Sequence, residues 1–334
     1  DICLFGIGFG SSACSMFITT YQILYSYRLK EITDKMDSIG KKIMENDLGG
    51  KDFFKQEYVK NAKFLSIFTR CSMTSIFTTP FSYFLSVPVV EWFEGNYREH
   101  LPLPLANVFD DRQPVVYEIV VIVLSAGISI ATAKKAALDS LFISFLSIQT
   151  TFLKYLSVAK DEMSKEVRFA DDGRSRRKLL TWVKLHQEVI KNIEELVEYF
   201  SPIVVVYYIV VIEIVVCGAF VELKKDNDSI VQSISVGSYV MLTVIFYYLL
   251  SNKADELTTE VQKMVAAEYN LPWYAMKKSE VSIIKVVLMM CNKPIHITAY
   301  QAPVLRLNRE TFSQFIVRAI SALVTFFQMK DIFG

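Results

Sequence analysis

The side chains that most often carry catalysis or bind metals are few and scattered in this sequence. The three histidines, His100, His186 and His296, lie in different segments, and no HExxH or histidine-box pattern joins them. No two cysteines form a CxxC pair, and neither a G-x-S-x-G motif nor a P-loop is present. The sequence therefore predicts no enzyme, no cofactor and no metal site, and we expect His186 to pack within its own helix.

Two charged residues stand inside apolar runs, where each costs about 2.5–3.5 kcal/mol at the middle of a membrane helix. Glu213, in VVIEIVV, predicts a buried partner or a role in attracting cations. Arg318 lies on one helical stripe with Ser321, Thr325 and the pair Gln328/Met329. Because lipid offers such side chains no hydrogen bond, the stripe predicts a helix face turned to protein or to water.

The elements that must position these residues are membrane helices. Of the 334 residues, 52% are hydrophobic, and they cluster into long runs between highly charged segments. The net charge of +1 implies no attraction to nucleic acid. Six runs can cross a bilayer: residues 2–27, 64–90, 115–133, 203–221, 231–250 and 312–329. The predicted fold is an all-α polytopic membrane protein.

Several spans continue as amphipathic helices beyond the bilayer. The third runs on through residues 138–156, with an apolar stripe that leaves Asp139, Gln149 and Lys154 on other faces. An amphipathic helix from Leu179 leads through Pro202 into the fourth span. The fifth continues to about residue 264, a short helix follows at 280–290, and the extensions within 28–63 join around residues 47–51.

The distribution of lysine and arginine predicts the orientation of the spans. Segments 28–63, 154–186 and 252–309 hold nine, nine and eight such residues, whereas 91–114 and 221–230 hold two each. The first group should be cytoplasmic and the second extracellular. Asn227, in the sequon Asn-Asp-Ser, then lies outside as a candidate glycosylation site. We expect one further span to precede Asp1.

Four motifs, in this order, resemble those of insect odorant receptors, and the resemblance covers nearly the whole chain. They are LPLPLANVFDDRQPVVYE (101–118), KLHQEVI (184–190), ADELTTEVQKMVAAEYNLPWYAM (254–276) and LNRETFSQFIVRAISALVTFFQMK (307–330). The resemblance implies a seven-helix subunit whose first span is absent here. It also implies a tetrameric, odorant-gated, non-selective cation channel in the plasma membrane of sensory-neuron dendrites.

The resemblance also implies a division of the chain. Residues 1–158 hold the family's spans 2–4, and residues 159–200 hold a cytoplasmic linker and an anchor helix. Residues 201–251 hold spans 5 and 6, residues 252–304 hold further anchor helices, and residues 305–334 form the pore-lining helix. Because residues 160–178 lack the long insertion of the family's co-receptor, the chain resembles a ligand-tuning subunit that assembles with co-receptor subunits.

The resemblance places a gate in the last helix. The co-receptor ends V-T-Y-F-M-V-L-V-Q-L-K, and aligning its Gln and Lys with this chain puts Thr325 and Met329 at the apolar gate and Gln328 at the pore mouth. Thr325 departs from the usual Val, which puts a purely dewetting gate in doubt. Four copies of Arg318 around a cation pore would repel the permeant ion, which favours a mixed channel.

A small volatile odorant needs a mostly apolar cavity with a few hydroxyl groups. Such a cavity would lie among membrane helices whose outer surfaces contact lipid. We expect aromatic and apolar residues in the outer halves of the spans to line it: Phe77, Phe81, Phe84, Tyr117, Leu124, Tyr207, Tyr208 and Tyr239. A gustatory receptor of the same superfamily is the nearest alternative. A G-protein-coupled receptor is disfavoured because D-R-Y and N-P-x-x-Y are absent.

Overall fold

A computed structural model describes residues 2–94, 114–167, 173–223, 230–269, 278–291, 295–298 and 306–333. The helices in these ranges are α1 (Ile2–Leu24), α2 (Ser26–Glu45), α3 (Lys51–Glu94), α4 (Pro114–Val167), α5 (Gly173–Leu223), α6 (Ile230–Tyr269), α7 (Lys278–Cys291) and α8 (Arg309–Phe333). The predicted all-α architecture is confirmed.

Four helices are long enough to combine a predicted span with its predicted extension. Helix α4 has 54 residues, α5 has 51, α3 has 44 and α6 has 40, and none is interrupted between the span and the extension. Pro202 lies inside α5, at the point where the amphipathic part passes into the apolar part. The predicted continuity of spans and extensions is therefore found.

Helix α4 occupies the centre of the bundle, where it contacts α1, α3, α5 and α6. As a result, polar residues expected on its outer faces are buried. Asp139 is 4% exposed and Gln149 is fully buried, while Lys154 is half-buried. The expectation of an amphipathic helix with an outward polar face is wrong here, because residues 138–160 of α4 are enclosed on all sides, whereas Ile122 and Val123 in its first half are exposed.

The turn between α2 and α3 docks on α4. Gly49 and Gly50 have φ values of 90° and 70°, the left-handed region in which glycine is favoured. A Cβ at Gly49 would collide with the carboxylate of Glu162. The Asn46 side-chain oxygen accepts hydrogen bonds from the Leu48 backbone N–H and from the Tyr155 hydroxyl, each at 3.0 Å. The predicted joint at residues 47–51 is thus a defined turn, held by hydrogen bonds and by packing against α4.

Helix α2 lies antiparallel to the first half of α5. Its buried stripe has helical spacing: Ile32, Met36, Ile39 and Ile43. Beside the stripe, three basic side chains seven residues apart pair with acids of α5: Arg28 with Glu198 (3.0 Å), Lys35 with Glu195 (2.7 Å) and Lys42 with Glu188 (2.7 Å). These partly exposed pairs fix the register of α2 more than they add to stability.

Over the described residues, two stretches of helix are long and apolar enough to cross a bilayer, Val116–Lys165 and Gly173–Gly218. A buried core helix of a soluble protein would pass the same test. Length and composition alone therefore do not decide the environment of these helices.

Candidate ligand-binding and pore-lining site

Helix α8 has three distinct faces. The inward face packs against the core through Phe312, Phe315, Ile316 and Ala319. The outward side carries an exposed polar strip, Arg318, Ser321, Thr325 and Gln328. At 100° per residue an exposed apolar strip lies next to it: Val317, Ile320 and Val324. The helix can therefore contact its own chain, an apolar neighbour and water at the same time.

The inward face of α8 meets a cluster of rings from α5 and α6, which we call the aromatic junction: Tyr207, Tyr208, Tyr247, Phe312 and Phe315. The ring centroids of Tyr247 and Phe315 are 5.5 Å apart, and those of Tyr208 and Phe315 are 6.4 Å apart. The ring centroids of Tyr207 and Tyr247 are 6.1 Å apart, which connects Tyr207 to the cluster. Perpendicular and tilted ring pairs of this kind contribute about 0.5–1.5 kcal/mol each beyond their buried area.

Tyr207 and Tyr208 are predicted ligand-binding residues whose contacts the structure describes, and their role stays a prediction. Tyr208 lies beside Phe315 in the second turn of α8, whereas Tyr207 pairs with Tyr247 of α6, and the ammonium of Lys135, just past the predicted third span, stands 5.0 Å from the Tyr207 ring centroid. The ligand-binding residues of the fourth span were expected in the outer half of the membrane. Tyr207 is only four residues, about 6 Å along the helix, from residue 203 at the predicted cytoplasmic end of that span. A cavity that both tyrosines line measures about 10 Å³, room for one water molecule and not for an odorant.

The other predicted ligand-binding residues differ in what the structure describes of them. Tyr117 is 1% exposed and Leu124 is half-buried, both on α4. Tyr239 is partly buried and packs against the core from α6. The side chains of Phe77, Phe81 and Phe84 lie outside the described residues, although their backbone belongs to α3. Whether these residues share one pocket stays a prediction.

A buried carboxylate lies near the aromatic junction and was missed by the sequence reasoning. Asp139 of α4 is 4% exposed, and its electrostatic neighbours are Lys135 and Tyr207. The electrostatic neighbours of Tyr207 are in turn Asp139, Tyr247, Cys14 and Tyr239. The signal was present in the sequence as a lone acid in AALDSLF, four residues after Lys135. A polar centre thus links α1, α4, α5 and α6.

The polar strip of α8 carries the predicted gate. The Thr325 hydroxyl donates a hydrogen bond to the Ser321 carbonyl at 2.9 Å, so its proton is already used within the helix. Arg318 is exposed, and no hydrogen bond or ion pair to it is found within the described part of the chain. Gln328 is exposed too, whereas the side chain of Met329 lies outside that part, as does the whole of Asn227.

The partner expected for Glu213 is not found. The side chain is half-buried, and its electrostatic neighbours are Tyr239 and Cys14. No lysine or arginine within the described ranges pairs with it. The prediction of a buried ion pair is not met among these residues, and partial exposure leaves the carboxylate within reach of water.

The extensions of the long helices are held together by buried rings and charges. His186 is buried and stacks parallel to Trp182 at 5.4 Å between ring centroids, while the Trp182 indole N–H donates to the Leu156 carbonyl at 2.9 Å. Burial lowers the pKa of His186 to about 4, so the imidazole is neutral at physiological pH. The prediction that His186 packs within its helix is confirmed.

A shared lysine joins three of the extensions. The Lys154 ammonium lies 2.8 Å from Glu256 of α6 and 3.3 Å from Glu57 of α3. Burial alone would raise the pKa of Glu256, but hydrogen bonds from Lys154 and Lys253 outweigh it and the pKa lies below its usual value. Among the described residues no cluster of histidine, cysteine and acidic side chains has the geometry of a metal site.

This arrangement, long helices that share one core and a last helix with a polar outward strip, can be compared with known proteins. A model of the 7tm odorant receptor family matches residues 9–318. The chain belongs to this family. It is therefore a membrane protein and an odorant receptor, and not an enzyme.

Solved structures of odorant receptors show the same fold. The insect olfactory receptor OR5 from Machilis hrabei superposes with a TM-score of 0.77 at 16% identity, over 98% of this chain and 81% of that chain. The same receptor in complex with eugenol gives a TM-score of 0.65 at 15% identity, over 98% and 87%. No curated protein matches this sequence.

Proposed function

We propose that this chain is the odorant-tuning subunit of a heteromeric, ligand-gated, non-selective cation channel that spans the plasma membrane several times. The observation that carries the proposal is the division of α8 into an inward aromatic face, an exposed apolar strip and an exposed polar strip. A helix that lines a pore must present a polar face to water while packing on its own subunit and a neighbour.

The ligand in this proposal is a small volatile molecule bound among the membrane helices above the aromatic junction. Tyr117, Leu124 and Tyr239, with Phe77, Phe81 and Phe84 of α3, supply the apolar wall and the hydroxyl groups that such a molecule needs. The Machilis receptor binds eugenol, which makes small aromatic alcohols a reasonable first class to test. Tyr207 and Tyr208 then act below the ligand, at the contact with α8.

Ligand binding opens the channel in this proposal by favouring one arrangement of the helices over another. The aromatic junction is the route, because Tyr247 and Phe315 connect α6 to the first turns of α8. An outward movement of α8 separates Thr325 and Met329 from their counterparts in the other subunits. Since the Thr325 hydroxyl donates within the helix, its methyl group is left to face the closed pore.

The mixed composition of the channel rests on Arg318. It lies on the polar strip with Thr325, and it is exposed without a partner within the described ranges. Four guanidinium groups around one pore would oppose the passage of cations, whereas co-receptor subunits would dilute that charge. The extensions held by Lys154 and His186 form the cytoplasmic anchor in this assembly.

The test is patch-clamp recording from cells that express the full-length chain with a co-receptor, the full-length chain alone, or the co-receptor alone. A panel of volatiles that includes eugenol is applied, and surface labelling measures delivery to the membrane. We expect odorant-evoked, weakly selective cation currents for the pair, with responses absent from the co-receptor alone. Full surface labelling without evoked current in any combination would refute the proposal.

A further inference from the structure

A cavity of about 890 Å³ opens where α1 ends, beside α5 and the segment that precedes α8. We call it the junction cavity and define it by Tyr21, Tyr25, Arg28, Glu198 and Arg306. It lies at the predicted inner ends of the first and fourth spans and shares none of the residues of the proposed odorant pocket, while Arg306 also borders the small cavity beside the aromatic junction. Its volume is large enough for a headgroup and the start of a chain.

One wall of the junction cavity is aromatic and continues into an exposed apolar surface. The rings of Tyr21 and Tyr25 lie 4.6 Å apart, and the Tyr21 hydroxyl is held by the Tyr199 carbonyl at 2.9 Å. Next to this wall Ile23 and Leu24 of α1 are 69% and 63% exposed. Tyrosines that border an apolar helix surface are typical of the membrane–water interface.

The opposite wall carries charges of both signs. The Arg28 guanidinium bonds the Glu198 carboxylate at 3.0 Å on the rim, and Glu194 lies one turn further along α5. Deeper in the wall, the Nε of Arg306 is buried and has no hydrogen-bond partner among the described residues. Because the Nε is enclosed by protein, a ligand in the cavity would meet the terminal nitrogens of the Arg306 guanidinium, which can donate to an anionic oxygen.

The position of Arg306 is fixed by the backbone. It forms an antiparallel bridge with Thr298, and the Leu307 N–H donates to the Ile297 carbonyl at 2.9 Å. His296 also lines the cavity, and burial together with the charge of Arg306 lowers its pKa, so the imidazole is uncharged at neutral pH. Among the described residues that line the cavity, the cations are therefore the two arginines and the anions are the two glutamates.

These features select one class of ligand. The guanidinium groups suit a phosphodiester. The two carboxylates disfavour a multiply charged anion and favour a group that also carries an ammonium. The exposed apolar surface of α1 suits acyl chains. A soluble phosphate would bind the arginines only and would make no favourable contact with the two carboxylates or with the apolar surface of α1.

We propose that the junction cavity binds the headgroup of a zwitterionic glycerophospholipid of the cytoplasmic leaflet, with the phosphate on Arg306 and Arg28 and the ammonium toward Glu198 and Glu194. The inference rests on the proposed function only for the orientation of the membrane. The lipid bridges α1, α5 and the segment leading into α8, so its binding ties the start of the last helix to the rest of the subunit.

The test uses the full-length chain purified with its co-receptor and placed in nanodiscs of equal phosphatidylethanolamine and phosphatidylglycerol. Native mass spectrometry then counts the lipids retained by each variant. We expect retained phosphatidylethanolamine to exceed phosphatidylglycerol, and Arg306→Gln to reduce retention about tenfold, because a charge-assisted hydrogen bond is lost. Glu198→Gln should shift the preference toward phosphatidylglycerol, since a carboxylate that repels the anion is removed.

Arg28→Gln repeats the test from the other wall, should Arg306→Gln not fold, and the exposed Arg176→Gln is the matched control that should retain lipid normally. Unchanged retention in both cavity variants, or a wild-type preference for phosphatidylglycerol, would overturn the inference. Odorant-evoked current is recorded in parallel. Current without lipid preference refutes the lipid site alone, and lipid preference without current refutes the proposed function alone.

Discussion

The rings of Tyr247 and Phe315 stand nearly perpendicular, at 82°, with their centroids 5.5 Å apart. This contact joins α6 to α8 two turns after α8 begins, and Phe315 is only 7% exposed there. It is one of several contacts between α6 and the proposed pore wall, beside the Tyr248–Phe312 ring pair at 5.2 Å and the hydrogen bond from Arg309 to Asn252 at 2.7 Å.

We therefore expect Phe315→Ala to weaken the coupling between odorant and channel. Removing a buried ring costs about 3–5 kcal/mol, and Phe315→Leu should cost less because it keeps part of the volume. The measurement is the odorant concentration–response curve, normalised to surface labelling. Ser313→Ala, at an exposed position of the same helix outside both named strips, is the control; an unchanged curve in Phe315→Ala would argue against this route.

Cysteine substitution tests which face of α8 meets water. Thr325→Cys and Gln328→Cys should react with a charged, water-soluble thiol reagent and lose current, because both positions are exposed on the polar strip. Ala319→Cys faces the core and should not react. Rates are compared with the unsubstituted channel, whose native thiols set the background. Equal modification at all three positions would remove the basis for a pore-facing strip.

Arg318 makes a separate prediction about conduction. Arg318→Gln removes a positive charge from the polar strip, so single-channel cation current should rise, most clearly at low ionic strength where screening is weak. Arg318→Lys keeps the charge and should behave like the unsubstituted channel. If Gln and Lys variants conduct equally, Arg318 does not face the permeation path.

Acid should destabilise the anchor through His186. Its pKa is about 4 in the folded state and about 6.5 when exposed. As pH falls below about 6.5 the unfolded chain binds a proton that the folded chain refuses, so up to about 3 kcal/mol of stability is lost by pH 4. His186→Phe keeps a flat ring against Trp182 and should reduce this slope, measured as thermal unfolding midpoints between pH 7.5 and 4.5. An unaltered slope would place the acid sensitivity elsewhere.

Two glycines of the same region should respond in opposite directions to alanine. Gly49 has a φ of 90° and faces Glu162, so Gly49→Ala adds both backbone strain and a collision, at a cost of about 1–3 kcal/mol. Gly40 lies inside α2 with open space around it, so Gly40→Ala should stabilise by up to about 1 kcal/mol. Thermal unfolding of the two variants side by side provides the comparison, and a shared direction would contradict the turn geometry.

The helices could be predicted from the sequence because their signals are local. Runs of apolar residues, the DLGG turn and the unbroken pattern through Pro202 each depend on neighbours within a few residues. The family resemblance likewise rested on contiguous motifs. These features determine where helices begin and end, and the structure agrees with them.

Features that depend on distant packing could not be predicted. Asp139 and Gln149 carry polar side chains, and only the surrounding helices reveal that both are buried. Arg28 and Glu198 are 170 residues apart, so no periodicity links them. Tyr207 was placed from its span and from the family resemblance, whereas its packing against Tyr247 and Lys135 depends on residues far away in the sequence. The types of residue that a receptor needs could be read from the sequence. Which of them pack together, and how deeply each is buried, could not.

Helix α4 is 54 residues long, about 80 Å at 1.5 Å per residue, and it runs without a break through the centre of the molecule. Its backbone is helical throughout, so one continuous element connects the outer end of the bundle to the extensions. By contrast, α1 stops at Leu24 and α2 starts at Ser26, which places a joint beside the junction cavity. The continuous helix α4 and the interrupted pair α1–α2 should therefore respond differently to tension in the surrounding bilayer. We expect the tension to act at the break between α1 and α2.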